Sequence, residues 1–348
     1  MVRSGKRLIK YIGLMNLIVL LLCILVVDSL ACSEVFINKG GMVKVSARNF
    51  DFNNAGDGFI RFSPVGTAGQ AQYTPQNCQP LKWTSKYASI TFNLSIAKSQ
   101  SPKDGEYGAG VDGINQAGLK VGTYFLASSV FPEQAARNTL DIGSLMQYLL
   151  DNCKSVDEAL ADLASGRYRV TSTPTGGVEI KLHLFLHDVQ GVSAIVEFID
   201  GKIKVTYNPA IPVLTNNTYG QSIEYLKRYS GFGGDLAIPG SVDSLDRFVR
   251  GVYYWENLAI PKNSIQAINY GFAAIQILSE SPGFRHGCTL WTIVTDLDNK
   301  KISFRTLSSP TLASIDLNKL SATVKKSHSI NILRTDLSGD ISDMFQQD

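Results

Sequence analysis

The chain has 348 residues, of which 18% are charged, and a formal net charge of +3. Its first ten residues hold four of the basic side chains, and without residues 1–31 the chain has 29 basic and 29 acidic residues. This balance excludes the basic face of a nucleic-acid-binding protein and the polybasic tract of a membrane-surface protein. The rest of the sequence has no Pro- or Ser-rich linker and no repeat, so we predict a single domain at residues 32–348.

The N-terminus has the pattern of a secretion signal. Four basic residues come before the apolar run 12–27, and small residues, Ser29 and Ala31, stand at the third and first positions before Cys32. The run has 16 residues, fewer than the roughly 20 that a membrane-spanning helix needs, so a retained membrane anchor is the weaker alternative. We therefore expect residues 1–31 to be a cleaved signal peptide.

The first element after Cys32 is predicted to be a β-hairpin. Two short alternating runs, SEVFI and MVKVSARNF, flank the turn sequence NKGG, a pattern typical of two paired strands. The second run leads to Arg48 and Asp51, 16 and 19 residues after Cys32. A hairpin brings both side chains back towards Cys32.

Strands and helices then follow in separate groups. We predict strands at residues 88–97, 118–128, 178–188, 193–199 and 202–208, helices at 142–153, 155–164, 241–258 and 264–278, and a closing hairpin at 288–307. Ser155 and Glu158 have the spacing of a capping box. The tail from about residue 323 is polar and poorly patterned. This order of elements is not a βαβ alternation and predicts an α+β fold with antiparallel sheets.

Cys32 is the candidate catalytic residue. If cleavage makes it the N-terminus, its α-amine, with a pKa of about 7.7–8.0, can accept the thiol proton without help from a histidine. Two other interpretations stay open: a lipidated lipoprotein cysteine, although the residues before Cys32 fit a lipobox poorly, and a coincidence of the cleavage site. The other cysteines of residues 32–348, Cys78, Cys153 and Cys288, allow one disulfide whose pairing the sequence does not define.

The sequence resembles the choloylglycine hydrolase family, which includes bile salt hydrolases and penicillin V acylases. Five segments carry the resemblance in the same order: C…RNFD at 32–51, DGINQAGLKVGTYFL at 112–126, VLTNNTYGQSIEYL at 213–226, IPGSVDSLDRFVR at 238–250 and the closing hairpin. They span nearly all of residues 32–348. The resemblance implies a four-layer αββα sandwich of the N-terminal-nucleophile hydrolases.

The resemblance also implies roles for individual residues. Cys32 matches the nucleophile, and Arg48 and Asp51 match the pair beside it. Asn216 matches a side-chain donor of the oxyanion hole, and Arg247 matches a second arginine near the thiol.

The family's other oxyanion donor aligns with Phe125, which offers only its backbone N–H, or with Tyr124 if the alignment shifts by one residue. The implied reaction is hydrolysis of a linear amide in a small acyl substrate through a thioester, without a metal or cofactor. Penicillin V, a conjugated bile salt and a long-chain acyl homoserine lactone are all candidate substrates.

Family members that carry a signal peptide indicate a periplasmic location, and the family's frequent tetramers suggest a homotetramer. No nucleic-acid partner is expected, nor a stable membrane anchor after cleavage. The alternative is an exported lipoprotein or binding module on the same scaffold, with Cys32 lipidated and catalysis lost. An acid-ceramidase-like amidase would instead need to cleave its own propeptide.

Overall fold

The computed structural model describes residues 31–52, 58–95, 108–133, 138–175, 178–282 and 287–346. The predicted signal peptide therefore lies outside the described residues, apart from Ala31. The strands, in chain order, are β1 (Ala31–Ile37), β2 (Val45–Phe52), β3 (Gly58–Ser63), β4 (Ala68–Gln70), β5 (Gln79–Pro80), β6 (Lys82–Thr84), β7 (Ser89–Leu94), β8 (Ala109–Asn115), β9 (Lys120–Phe125), β10 (Asn138–Asp141), β11 (Arg169–Thr171), β12 (Thr173–Thr175), β13 (Val178–Ile180), β14 (Leu182–His187), β15 (Ser193–Ile199), β16 (Lys202–Tyr207), β17 (Val213–Leu214), β18 (Cys288–Asp296), β19 (Lys301–Thr306), β20 (Ala313–Asp316), β21 (His328–Asn331) and β22 (Gly339–Asp340). The helices are α1 (Ile142–Asn152), α2 (Val156–Ala164), α3 (Tyr219–Leu226), α4 (Ser244–Asn257), α5 (Ser264–Gln276) and α6 (Leu317–Thr323), with a 3-10 turn at Ser342–Gln346.

Two large sheets pack face to face. The first has the strand order β17-β1-β2-β18-β19-β20-β22, and the second has the order β16-β15-β14-β9-β8-β7-β3-β21. Neighbouring strands run antiparallel except for the pair β20–β22. Aromatic side chains fill the space between the sheets, where Phe92 of the second sheet meets Phe304 of the first with ring centroids 5.2 Å apart.

Helices cover the outer face of each sheet. Helices α4 and α5 lie on the first sheet, and the approach of α5 is so close that a Cβ at Gly271 would lie 3.0 Å from Val294 and 3.2 Å from Val45. Helix α1 lies on the second sheet, where Leu149 packs in a separate core with Leu184. The layers are therefore helix, sheet, sheet and helix, as the αββα prediction expects.

Local sequence signals account for the helix starts. The Asp141 carboxylate accepts the Ser144 N–H at 3.2 Å at the start of α1, and the Ser155 hydroxyl accepts the Glu158 N–H at 3.3 Å at the start of α2. The Glu158 carboxylate accepts the Lys154 N–H at 2.9 Å, so only the serine half of the predicted capping box forms. A complete capping box instead starts α3.

One prediction about the elements needs correction. The strand expected at 178–188 is divided into β13 and β14, which belong to different sheets. The poorly patterned tail adds two edge strands: β21 pairs with β3 at the edge of the second sheet, and β22 pairs with β20 at the edge of the first. Edge pairing uses backbone groups that every residue carries, so short strands of this kind leave little pattern in the sequence.

Candidate active site

The predicted hairpin is present and brings Asp51 next to the start of β1. In the antiparallel pair β1–β2, Ala31 lies opposite Asp51 and Cys32 lies opposite Phe50. The glycines of the predicted NKGG turn have positive φ angles of 74° at Gly40 and 69° at Gly41, a conformation that glycine adopts without strain. Cys32 is only 4% exposed. The hairpin therefore places a buried thiol and a carboxyl group on neighbouring strands.

Arg247 of helix α4 holds the backbone around Cys32. Its Nη1 donates to the Cys32 carbonyl oxygen at 2.8 Å and to the Ser33 hydroxyl at 2.5 Å, and its Nη2 donates to Asn216 Oδ1 at 2.8 Å. The Asp51 Oδ2 atom lies 3.9 Å from the same Nη1. The guanidinium group is 1% exposed and joins three of the other predicted site residues.

Asn216 bridges the first sheet and strand β9. Its Oδ1 accepts the backbone N–H of Cys32 at 2.8 Å, and its Nδ2 donates to the Phe125 carbonyl oxygen at 2.9 Å. Its own N–H is held by the Ser244 hydroxyl at 2.8 Å, at the start of α4. One amide side chain thus faces both the Cys32 nitrogen and the end of β9.

The register of β9 shows where the Phe125 N–H points. Leu126 donates its N–H to the Lys181 carbonyl on the β14 side. Because backbone groups of successive strand residues point to opposite sides, the Phe125 N–H and C=O point away from β14, towards Asn216. This geometry favours Phe125 over Tyr124 as the residue next to the predicted oxyanion hole.

Arg48 occupies a different place from Arg247, in the space between the sheets. Its Nη1 donates to the Val111 carbonyl and its Nη2 to the Thr123 carbonyl, the latter at 3.2 Å. The guanidinium carbon lies 4.5 Å above the Tyr124 ring. Cys32 lies on the same face of β1 as Glu34, which contacts Lys120 of the second sheet, whereas Arg247 contacts Ser33 on the other face. The two predicted arginines therefore approach Cys32 from opposite faces of the first sheet.

Burial dominates the electrostatics of the two central groups. It raises the pKa of the Cys32 thiol, while Arg48 and Arg247 lower it and Asp51 raises it. It also raises the pKa of Asp51 to about 7, against the opposing effects of Arg247 and of the hydrogen bond from Thr289. A buried thiol of this kind needs a base to become a thiolate.

One oxygen of the Asp51 carboxyl group is available as a hydrogen-bond acceptor. Its Oδ1 accepts the Thr289 hydroxyl at 2.5 Å, but its Oδ2 accepts no hydrogen bond from the described residues. Thr289 was missed in the sequence analysis, because only the β2–β18 register places it opposite Asp51. The threonine itself belongs to the closing hairpin that the sequence predicted.

Three further observations concern the described residues. Cys32, Cys78, Cys153 and Cys288 are all unbridged. Within the described ranges, no group of three or more His, Cys, Asp or Glu side chains is arranged to hold a metal ion. Among the helices of the described part of the chain, none is both long and apolar enough to cross a membrane.

Comparisons with known proteins agree with the fold and the predicted family. Residues 32–329 match the family of linear amide C–N hydrolases known as the choloylglycine hydrolase family. Penicillin V acylase of Pectobacterium atrosepticum is 28% identical over 349 aligned positions, which cover 92% of this chain and 89% of the relative.

Solved structures give the same result. Penicillin V acylase of Agrobacterium tumefaciens superposes with a TM-score of 0.73 at 27% identity, covering 90% of this chain and 96% of the other. A variant of conjugated bile acid hydrolase from Clostridium perfringens has a TM-score of 0.70 at 18% identity, covering 87% of this chain and 98% of the other, and so supports the fold alone. The predicted fold class and the predicted family resemblance are confirmed.

Proposed function

The chain belongs to the choloylglycine hydrolase family of linear amide C–N hydrolases, and we propose that it cleaves an acyl amide with Cys32 as an N-terminal nucleophile. Its similarity to two penicillin V acylases supports a substrate of the penicillin V type. The described chain still carries Ala31 before Cys32, so the proposed enzyme is the product of cleavage at this bond.

The observation that carries the proposal is the set of contacts on the Cys32 backbone. Asn216 accepts its N–H at 2.8 Å and Arg247 donates to its carbonyl at 2.8 Å. Asp51, across the hairpin, has an acceptor oxygen to spare. A buried cysteine with a purely structural role does not require polar side chains on its backbone nitrogen and carbonyl oxygen, nor a carboxyl group on the neighbouring strand.

The proposed reaction starts with a proton transfer inside one residue. The free α-amine of Cys32 takes the thiol proton, with Asp51 orienting the amine, and Arg48 and Arg247 stabilise the thiolate. The sulfur attacks the amide carbonyl carbon, and the carbonyl π electrons move to oxygen. The resulting oxyanion is stabilised by Asn216 Nδ2 and the Phe125 N–H, each donor contributing about 2.7–4 kcal/mol.

Collapse of this tetrahedral intermediate breaks the carbon–nitrogen bond. The proton held by the α-amine passes to the leaving nitrogen, and a thioester between the acyl group and Cys32 remains. The freed α-amine then takes a proton from a water molecule, whose oxygen attacks the thioester carbonyl carbon while the same oxyanion hole holds the carbonyl oxygen. Collapse of this intermediate breaks the carbon–sulfur bond and releases the acid, and the proton on the α-amine returns to the Cys32 thiolate.

Export is part of the proposal. We infer that residues 1–31 form a signal peptide, that its removal exposes the Cys32 amine, and that the enzyme works in the periplasm. The short apolar run and the small residues before Cys32 support this inference. A variant at Ala31 that is folded but not processed should hydrolyse no substrate, and an active unprocessed protein would contradict this step.

The central test is turnover by protein expressed from the full sequence, with its N-terminus read by intact mass. Penicillin V, glycocholate and a long-chain acyl homoserine lactone are offered, and amine release is measured. We expect turnover of penicillin V, lost in Cys32→Ala and kept in the matched control Cys78→Ala, which removes another unbridged cysteine.

Two results would overturn the proposal. One is a folded protein with a free N-terminal Cys32 that turns over none of the three substrates. The other is a diacylglyceryl mass on Cys32, which would support the lipoprotein alternative. Turnover of glycocholate or the lactone instead of penicillin V would keep the amidase and correct its acyl specificity.

A further inference from the structure

A cluster of buried charges lies between the sheets, on the same face of β1 as Cys32. Glu34 follows Cys32 by two residues, so its side chain points to the same side of the strand. Its Oε2 lies 2.6 Å from Lys120 Nζ, and its Oε1 accepts hydrogen bonds from the Ser46 hydroxyl at 2.6 Å and from His187 Nε2 at 2.7 Å. All four side chains are at most 2% exposed.

Asp112 of β8 is shared between two cations of this cluster. Its Oδ2 lies 2.9 Å from Lys120 Nζ and 3.6 Å from Arg48 Nη1. Lys120 is therefore within hydrogen-bonding distance of the carboxylate, whereas Arg48 is not. Arg48 instead donates hydrogen bonds to the neutral carbonyl groups of Val111 and Thr123.

We propose that Lys120 is a positioning residue for the amide hydrolysis: together with Glu34 it keeps Asp112 outside hydrogen-bonding distance of Arg48, so that Asp112 offsets only part of the Arg48 charge that acts on Cys32. The inference rests on the proposed function in taking Cys32 as the nucleophile.

The charges around Cys32 and Asp112 support this role for Lys120. Arg48 lies opposite Glu34 on β2 and is therefore the diagonal neighbour of Cys32 on the same face of the sheet. Among the charges of Arg48, Asp51 and Arg247, that of Arg48 lowers the pKa of the thiol most. Glu34 stays ionised, because Lys120 and His187 overcome the effect of burial and hold its pKa at about 2. Lys120 is thus fixed between a firmly ionised partner and Asp112.

Removing Lys120 alone is a poor test. It would leave two carboxyl groups buried without their cation, and breaking a buried pair in this way is strongly destabilising and threatens the fold. The double variant Glu34→Gln/Lys120→Met keeps the net charge of the cluster unchanged, and the new amide can still accept from Ser46. The single variant Asp112→Asn removes the shared anion while the Glu34–Lys120 pair stays intact.

The two variants should move the thiol in opposite directions. In Glu34→Gln/Lys120→Met, Asp112 is free to pair with Arg48, so the Cys32 pKa rises and alkylation at neutral pH slows about three- to tenfold. In Asp112→Asn the Arg48 charge is no longer partly offset by Asp112, so alkylation becomes faster by about the same factor. General loosening of the fold would change both variants in the same direction.

The measurement is the rate of Cys32 alkylation by iodoacetamide between pH 5 and pH 9, read by peptide mass on protein expressed from the full sequence. Cys78 in the same sample serves as the internal control, and urea unfolding checks that each variant is folded. Rates that are unchanged, or that shift in the same direction in both variants, would overturn the role of Lys120.

This readout does not require turnover. A wild-type protein that hydrolyses no amide would overturn the proposed function, while the alkylation rates would still report whether Lys120 and Asp112 tune the thiol.

Discussion

Replacing Arg247 by methionine should lower the free energy of unfolding and remove hydrogen bonds from the candidate active site. The side chain is 1% exposed and makes four hydrogen bonds, to Cys32, Ser33 and Asn216 and, from Nε at 2.9 Å, to the Val242 carbonyl. Methionine fills much of the volume but removes the donor from these four acceptors, of which Asn216 Oδ1 still accepts the Cys32 N–H. Each acceptor left unpaired costs roughly 1–3 kcal/mol if it finds no water. With partial relaxation we expect a loss of about 3–5 kcal/mol in the free energy of unfolding, the range for a broken buried ion pair.

The loss should depend on pH, and its sign follows from Asp51. Asp51 has a folded-state pKa of about 7, above its ordinary value of 3.8, and Arg247 opposes the increase. An acid with a raised folded pKa contributes stability at low pH that is lost as pH rises through the folded pKa. Without Arg247 the folded-state pKa of Asp51 rises further. The free energy of unfolding of the methionine variant therefore keeps falling above pH 7, where that of the wild type levels off.

Urea unfolding at pH 6 and pH 8, followed by tryptophan fluorescence, measures both effects, since buried Trp291 stacks on Phe50 at 4.3 Å. Arg334→Met is the matched control: its side chain is 49% exposed and pairs with Asp336, and a surface pair contributes only about 0–1 kcal/mol. A cost for Arg247→Met no greater than the control, or equal costs at the two pH values, would refute the reasoning.

Three further predictions concern other residues of the site. Asn216→Ala should lower kcat about 10²–10³-fold through loss of an oxyanion donor; amine-release kinetics with unchanged kcat would contradict that role. Asp51→Asn should flatten the pH dependence of the free energy of unfolding between pH 4 and pH 7, which in the wild type falls with rising pH by a few kcal/mol; thermal melts that keep the wild-type slope would argue against a raised Asp51 pKa. His183→Phe should cost about 1–3 kcal/mol and lower kcat more than it changes KM, because His183 Nε2 bonds the Thr215 carbonyl at 3.0 Å, next to Asn216; His328→Phe in the edge strand β21 is the control and should leave kcat unchanged.

Much of the site could be predicted from the sequence because the family's motifs keep their order along the chain. Cys32, Asp51, Asn216 and Arg247 do come together, and the hairpin that joins the first two is encoded locally by alternation and a Gly-Gly turn. Arg48 was also predicted, but its position between the sheets was not. An arginine in a strand points to one of two faces, and only the packing of the second sheet shows which groups it meets there.

The sequence by itself determined the antiparallel α+β pattern, the starts of the main helices and the identity of the central cysteine, because these depend on neighbours within a few residues or on motifs read along the chain. The tertiary structure alone decided that Thr289 meets Asp51, that Lys120 links Glu34 to Asp112, and that the tail adds a strand to each sheet. These contacts join residues far apart in the chain. Strand register decides which of these residues meet, and the buried charges pair because they are removed from water. Neither effect can be read from the local sequence.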